Sequence, residues 1–153
     1  MRFTTFTTPF GEWLLAGDAQ GLRHLRFDAT HRDAEWSRDD ASLAPARDEI
    51  LAYLDGRRRH FDIDVAPQGS EAQREVWAAV MRIPYAATRT YGDLARRLGD
   101  DKAVIAVTGA VAANPLPVLV PCHRVVTASG PGSYQGGEAL KRRLLELEAA
   151  PGA

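Results

Sequence analysis

The chain has 153 residues, 45% of them hydrophobic and 25% charged, with a formal net charge of -1. That size allows one or two small cores, and length alone does not choose between them. No stretch approaches the apolar length of a membrane span, Met1-Arg2-Phe3-Thr4-Thr5 lacks the apolar core of a secretory signal, and the charge balance excludes a globally basic nucleic-acid footprint.

One cysteine cannot close an internal disulfide, and four scattered histidines beside it give no metal-ligand spacing, so no metal is expected and a reducing cytoplasm is the default location. Charge is uneven along the chain. Residues 1–68 carry 9 basic and 12 acidic side chains, and residues 69–153 carry 10 and 8, which makes the second part the better candidate for a polyanionic partner.

From the N-terminus, Arg2 to Thr8 is rich in β-branched and aromatic side chains and is broken by Pro9-Phe10-Gly11, which predicts a strand and a turn. Glu12–Gly17 and Gly21–Phe27 read as two more strands, joined through Asp18-Ala19-Gln20-Gly21, so the start is a small antiparallel meander. Residues 28–44 are charged and lack an apolar period. They read as a surface connection without a function, although they contain His31, Trp36 and the pair Asp39-Asp40.

Ile50, Leu51 and Leu54 recur at helical spacing, predicting a helix from Pro45 to Gly56. Arg57-Arg58-Arg59 follows the helix end, where cations complement the dipole; a solvated face is the commoner role of such a triplet, phosphate contact the rarer one. His60 to Asp64 leads into a linker at Pro67-Gln68-Gly69-Ser70. Ser70 can cap a helix reaching about Arg82, with Val76, Trp77, Val80 and Met81 on one face. A helix from Thr90 to Gly99, a turn at Asp100-Asp101 and a helix from Lys102 to Ala113 have the dimensions of a helix-turn-helix, or of a plain helical hairpin.

Asn114-Pro115-Leu116-Pro117-Val118-Leu119-Val120-Pro121-Cys122-His123-Arg124-Val125-Val126 then brings the one thiol after three prolines. Proline fixes φ and restricts the residue before it, so the approach to Cys122 is stiff and extended, with Cys122 itself on a strand. A neighbouring imidazole or cation makes a thiolate easier to form. A lone cysteine in an apolar run is nonetheless more often a small buried hydrophobe. Ala128 to Ser133 reads as a loop of small residues, Tyr134-Gln135-Gly136-Gly137 closes it, and Glu138–Ala150 reads as a last helix with Leu140, Leu144, Leu145 and Leu147 largely inward.

The run from Asn114 to Val126 closely resembles the active-site signature of the O6-alkylguanine-DNA alkyltransferases, the methylated-DNA-protein-cysteine methyltransferases. Gln73-Arg74-Glu75-Val76-Trp77, Thr90-Tyr91-Gly92 and the aromatic-x-Gly-Gly at 134–137 are similar to other segments of that family. The resemblance implies an α+β chain: an N-terminal antiparallel-sheet domain with a helix over residues 1–68, then a mostly helical DNA-binding domain with a helix-turn-helix over residues 69–153. It implies a monomer that acts on double-stranded DNA carrying alkylated guanine, away from any membrane and without a cofactor. The activity it implies is single-use transfer of an alkyl group from guanine O6, with thymine O4 as a further substrate, to Cys122.

Roles follow from the same resemblance. His123 would take the thiol proton through a water, and Glu148 would orient the imidazole. Asn114 would brace the backbone around Cys122. Tyr134 would sit against the extruded base and give it a proton, while Tyr91 would help to rotate the nucleotide. Pro117, Val125, Gly136 and Gly137 would form the substrate pocket. Lys102, Ile105 and Arg124 would face DNA. Three positions depart from the family: Ile105 stands where it carries an arginine that fills the gap left by the base, Thr108 where it prefers glycine, and Ala72 where it carries phenylalanine. A divergent member with a reactive thiol and weak base flipping, acting as an alkylation sensor or on another substrate, is therefore the alternative.

Overall fold

The computed structural model describes residues 1–100 and 103–150. Residues 1–67 and 68–150 form separate compact units. The first is a sheet with one helix and the second is mainly helical, the α+β division expected.

In the first unit β1 (Arg2–Thr8), β2 (Gly11–Asp18) and β3 (Gly21–Arg26) form the meander, with Phe3 opposite Ala16 and Leu15 opposite Leu25. Alternation sends Phe3, Leu14 and Ala16 to one face, where Trp36 completes a small apolar cluster. The 28–44 segment is thus not the plain surface connection expected. Its Trp36 is buried and stacks on His24, and Ser37–Arg38 adds a short strand, β4, parallel to β1.

The helix α1 runs Asp40–Leu54, starting earlier than the expected Pro45. The physical reason lies in the acidic pair: Asp39 accepts from the Ser42 N–H at 3.1 Å as the N-cap, and Asp40 places its charge in the first turn. Pro45 forfeits only one backbone bond, near the helix start. Leu43, Ala46, Ile50, Tyr53 and Leu54 form its buried stripe. Two arginines of the triplet pair with carboxylates, Arg57 with Asp55 and Arg58 with Glu49 and Asp62, which fits the solvated face.

The second unit opens with α2 (Glu71–Met81), held by a full capping box between Ser70 and Gln73 that is worth about 1 kcal/mol. Val76, Trp77 and Val80 are buried, but Met81 is 46% exposed, one residue too far round the helix to join them. The Trp77 indole N–H donates to the Ala110 carbonyl at 2.8 Å, tying α2 to the later helix α4 (Val104–Ala112). Thr90 and Asp93 cap α3 (Tyr91–Arg97) in the same reciprocal way. The second helix of the expected pair, α4, runs Val104–Ala112; the Asp101 part of the turn and Lys102 lie outside the described residues.

Short parallel strands β5 (Arg89–Thr90) and β6 (Val125–Val126) join the start of α3 to the segment after Cys122. The last helix, α5, runs Glu138–Ala149 and buries Leu140, Lys141, Leu144 and Glu148. Leu145 and Leu147 are only half-buried. Among the described residues no helix is long and apolar enough to cross a membrane.

Candidate active site

The site is built outward from Asn114, which is buried at the end of α4. Its amide NH2 donates to the Val120 carbonyl at 2.9 Å and its carbonyl accepts from the Leu116 N–H at 2.9 Å. One side chain thereby staples both ends of the Leu116–Val120 loop, which closes with a Val120 N–H bond to the Leu116 carbonyl at 2.8 Å. Inside that loop Val118 is held at φ 76°, a left-handed conformation that a β-branched residue rarely adopts and that costs about 1–3 kcal/mol. The surrounding bonds must hold it there.

The chain does not enter Cys122 as a strand. Pro121 sits at φ -79° and ψ 64°, and the Cys122 N–H donates across it to the Val120 carbonyl at 2.7 Å, an inverse γ-turn. Residues Cys122–Arg124 then form one 3-10 turn, and β6 begins only at Val125. The turn brings three consecutive chemical side chains to three different tasks.

Cys122 is 3% exposed, yet it lines a cavity of about 240 Å³ with Tyr91, Thr108, Val111, Ala112, Ser133, Tyr134 and Gln135. Small-molecule pockets usually span ~300–1,000 Å³, so this one suits a single planar ring system. Burial pushes the thiol up, while the Asn114 amide, the Lys141 ammonium and the Tyr134 hydroxyl pull it back. The resting sulfur is a thiol with the means of ionisation around it.

His123 is fully buried and its Nε2 lies 2.6 Å from Glu148 Oε2. Burial lowers its pKa, Glu148 opposes that, and the Arg124 and Lys141 charges add to it. The imidazole is therefore neutral, with Nε2–H donating to Glu148 and Nδ1 as the basic nitrogen.

Arg124 does not face DNA as expected. It is buried, with Nε 2.9 Å from Glu148 Oε1, Nη2 3.0 Å from Glu148 Oε2 and Nη1 donating to the Ile83 carbonyl at 2.7 Å. A guanidinium buried in a bidentate pair, with three of its five N–H donors already committed, is not presented to phosphate. Glu148 Oε1 also accepts from the N–H of Ala86, itself at φ 67°.

Of the other expected residues, Tyr91 and Tyr134 line the cavity. Pro117, Val125, Gly136 and Gly137 lie outside its lining: Pro117 is buried against Val120, the Val125 carbonyl accepts from Lys141, and Gly137 is the N-cap of α5 at φ 93°. Ile105 points outward and is 89% exposed. Lys102 lies outside the described residues. The sequence did not assign several residues to the site, among them Gln135 and Lys141. Gln135 lines the cavity and its amide donates to the Asn114 carbonyl at 2.5 Å. Lys141 is wholly buried beside it. Among the described residues no cluster of His, Cys, Asp and Glu could hold a metal ion.

A two-unit α+β chain with one buried thiol over a base-sized cavity, backed by a neutral imidazole and a fixed carboxylate, is built for group transfer to sulfur. The chain belongs to the 6-O-methylguanine DNA methyltransferase family: the family's DNA binding domain matches residues 71–150 and its ribonuclease-like domain matches residues 1–67. It is 39% identical to the methylated-DNA--protein-cysteine methyltransferase of Methanosarcina acetivorans, over 98% of this chain and 99% of that protein. It is 38% identical to that of Mycobacterium tuberculosis, over 97% and 92%. The crystal structure of Mycobacterium tuberculosis OGT in complex with DNA superposes with a TM-score of 0.91 at 38% identity, covering 97% of this chain and 93% of that one.

Proposed function

We propose that the protein repairs DNA by taking an alkyl group from guanine O6 onto Cys122, once per molecule. The observation that carries this is the thiol at the wall of a small cavity whose other walls are two tyrosines and the outer turn of α4. The substrate base is turned out of the duplex into that cavity, at an unstacking cost of a few kcal/mol. Tyr91 and the exposed face of α4 offset part of it.

In the reaction His123 Nδ1 takes the thiol proton through water, and Glu148, fixed by Arg124, stabilises the imidazolium. The sulfur attacks the alkyl carbon in line; the S–C bond forms, the C–O6 bond breaks, and the electron pair goes to the guanine. Tyr134 supplies the proton that neutralises the leaving base. Asn114 holds the Val120 carbonyl and keeps the second amide hydrogen for the sulfur. A thioether does not release its carbon, so the protein is consumed. The single free thiol suits a reducing cytoplasm, and the helical unit acts as a monomer on duplex DNA.

Incubation with a duplex containing O6-methylguanine should add one methyl group to the Cys122 peptide, read by mass spectrometry, and Cys122→Ser should add none. Alkylation by free O6-benzylguanine without transfer from duplex would favour the sensor alternative, for which exposed Ile105 is the motive. No alkylation from either would refute the transfer.

A further inference from the structure

Three of the 10 cations of residues 69–153 gather at one place. Arg89, Arg96 and Arg97 line a shallow surface cavity of about 560 Å³ with Thr88 and Asp93. Arg96 and Arg97 are exposed and Arg89 is half-buried. The one carboxylate there is already in use: Asp93 accepts from the Thr90 N–H at 3.3 Å as part of the cap of α3, and it pairs with Arg96. Arg89 Nη1 donates to the Thr88 carbonyl at 2.8 Å, a neutral acceptor, and among the described residues no carboxylate pairs with Arg89 or Arg97. Three guanidiniums around one carboxylate leave a positive surplus, and like charges sharing one cavity repel.

The fold does not need that surplus. Cations in the last turn of α3 complement its dipole, which accounts for Arg96 and Arg97, but Arg89 precedes the helix and gains nothing from it. The place of the cluster beside the thiol cavity is more telling. Tyr91, Leu94 and Ala95 form the inward side of α3, and Tyr91 lines the Cys122 cavity. Asp93, Arg96 and Arg97 take the outward side. The two sides meet at Gly92: Arg96 Nη1 comes within 3.6 Å of where a Cβ on Gly92 would sit, so this guanidinium covers the turn that carries Tyr91. Helix α4, by contrast, brings no charged side chain between Val104 and Ala112.

We propose that Arg89, Arg96 and Arg97 form a phosphate-binding surface for the DNA backbone beside the extruded nucleotide, on the first helix of the pair rather than the second. The inference rests on the alkyl-transfer reading and names where the duplex of that reading is held. A strand whose nucleotide has turned past Tyr91 lays its next phosphates across the first turn of α3, onto the guanidiniums. Arginine suits the task, being charged at any working pH and able to hold a phosphate with two parallel N–H bonds. Such contacts carry no sequence information, so the surface serves a lesion in any sequence.

The test measures binding of undamaged duplex to the full chain by fluorescence anisotropy over a range of salt, with no chemistry involved. Replacing all three residues (Arg89→Gln, Arg96→Gln, Arg97→Gln) should make the slope of log affinity against log salt shallower by about 0.9 for each arginine, so that a fourfold rise in salt costs the variant about forty-fold less affinity than it costs the wild type. A charge-matched control in the first unit, Arg47→Gln with Arg57→Gln and Arg59→Gln, should keep the wild-type slope. An unchanged slope in the first variant, or an equal change in the control, would overturn the proposal. Should the first variant not fold, the wild type serves: undamaged duplex should shield Arg89, Arg96 and Arg97 from phenylglyoxal, read by peptide mass spectrometry, and no shielding would overturn the proposal equally. Free O6-benzylguanine should alkylate Cys122 in the folded variant at the wild-type rate; a slower reaction would tie the arginines to the thiol site and count against the proposal. Slopes that differ as expected, with no transfer from damaged duplex in either protein, would sink the repair reading alone.

Discussion

Arg124 grips Glu148 with both ends of its guanidinium, at 2.9 and 3.0 Å, and leaves Oε2 shared with His123 at 2.6 Å. The carboxylate is thus fixed as an anion by one partner before it serves the other. Replacing Arg124 by methionine removes a charge that lowers the His123 pKa and leaves Glu148 acting on the imidazole alone. His123 should then hold a proton at neutral pH and be unable to accept one from the thiol. The expected outcome is slow transfer at pH 7 that recovers as pH rises, with a loss of about 3–5 kcal/mol in stability from the broken buried pair. An unchanged pH–rate profile would contradict this.

Acid should weaken the fold through two histidines. Burial depresses both His24, stacked on Trp36, and His123. A histidine held neutral in the folded state contributes stability that is complete above its unfolded pKa of about 6.5 and is lost as pH falls below it, because only the unfolded chain takes up the proton there. Melting temperatures measured from pH 8 to pH 5 should fall in that window. His24→Gln should flatten the slope without touching transfer at pH 7.5.

Asn114 should be the costliest polar residue in the site to delete. Asn114→Ala orphans the Leu116 N–H, at about 1–3 kcal/mol, and leaves the Val120 carbonyl to the Cys122 N–H alone. Asn114→Asp keeps the acceptor for Leu116 but sets a negative charge beside the sulfur. It should fold better than the alanine variant yet show a higher thiol pKa, checked by denaturation and by thiol alkylation against pH.

Ile105, at 89% exposure, can change without affecting the core, so Ile105→Arg should alter stability by no more than about 0.5 kcal/mol. It adds a cation to a helix, Val104–Ala112, that has none. Transfer from duplex should quicken and become steeper in its salt dependence, by about one phosphate contact. Equal rates for the two proteins would show that the missing arginine is not what limits DNA engagement.

Short-range chemistry made most of the chain legible. The strands β1 to β3 announce themselves by β-branched runs between glycine turns, and Ser70 and Thr90 mark the starts of α2 and α3. Asp39-Asp40 carried a helix start as well, but its charge resembled a loop because the apolar stripe of α1 begins only at Leu43. The Pro121 turn was hidden because proline suits both an extended approach and an inverse γ-turn, and the choice depends on where the Cys122 N–H finds an acceptor. Arg124 and Lys141 were misjudged or missed for a common reason. Each charge alone reads as solvated, and only the tertiary positions of Glu148 and of the Val125 and Ser133 carbonyls turn them inward.

Glu148 stands one residue from the end of α5, in the turn that in most helices frays first. Here that turn is bolted to the interior by four donors drawn from Ala86, His123 and Arg124, so its amides should exchange with deuterium as slowly as those of mid-helix residues. The reverse also holds: a nick or an extension that unwinds α5 from its tail would disarm the sulfur from a distance, without altering any residue that lines its cavity.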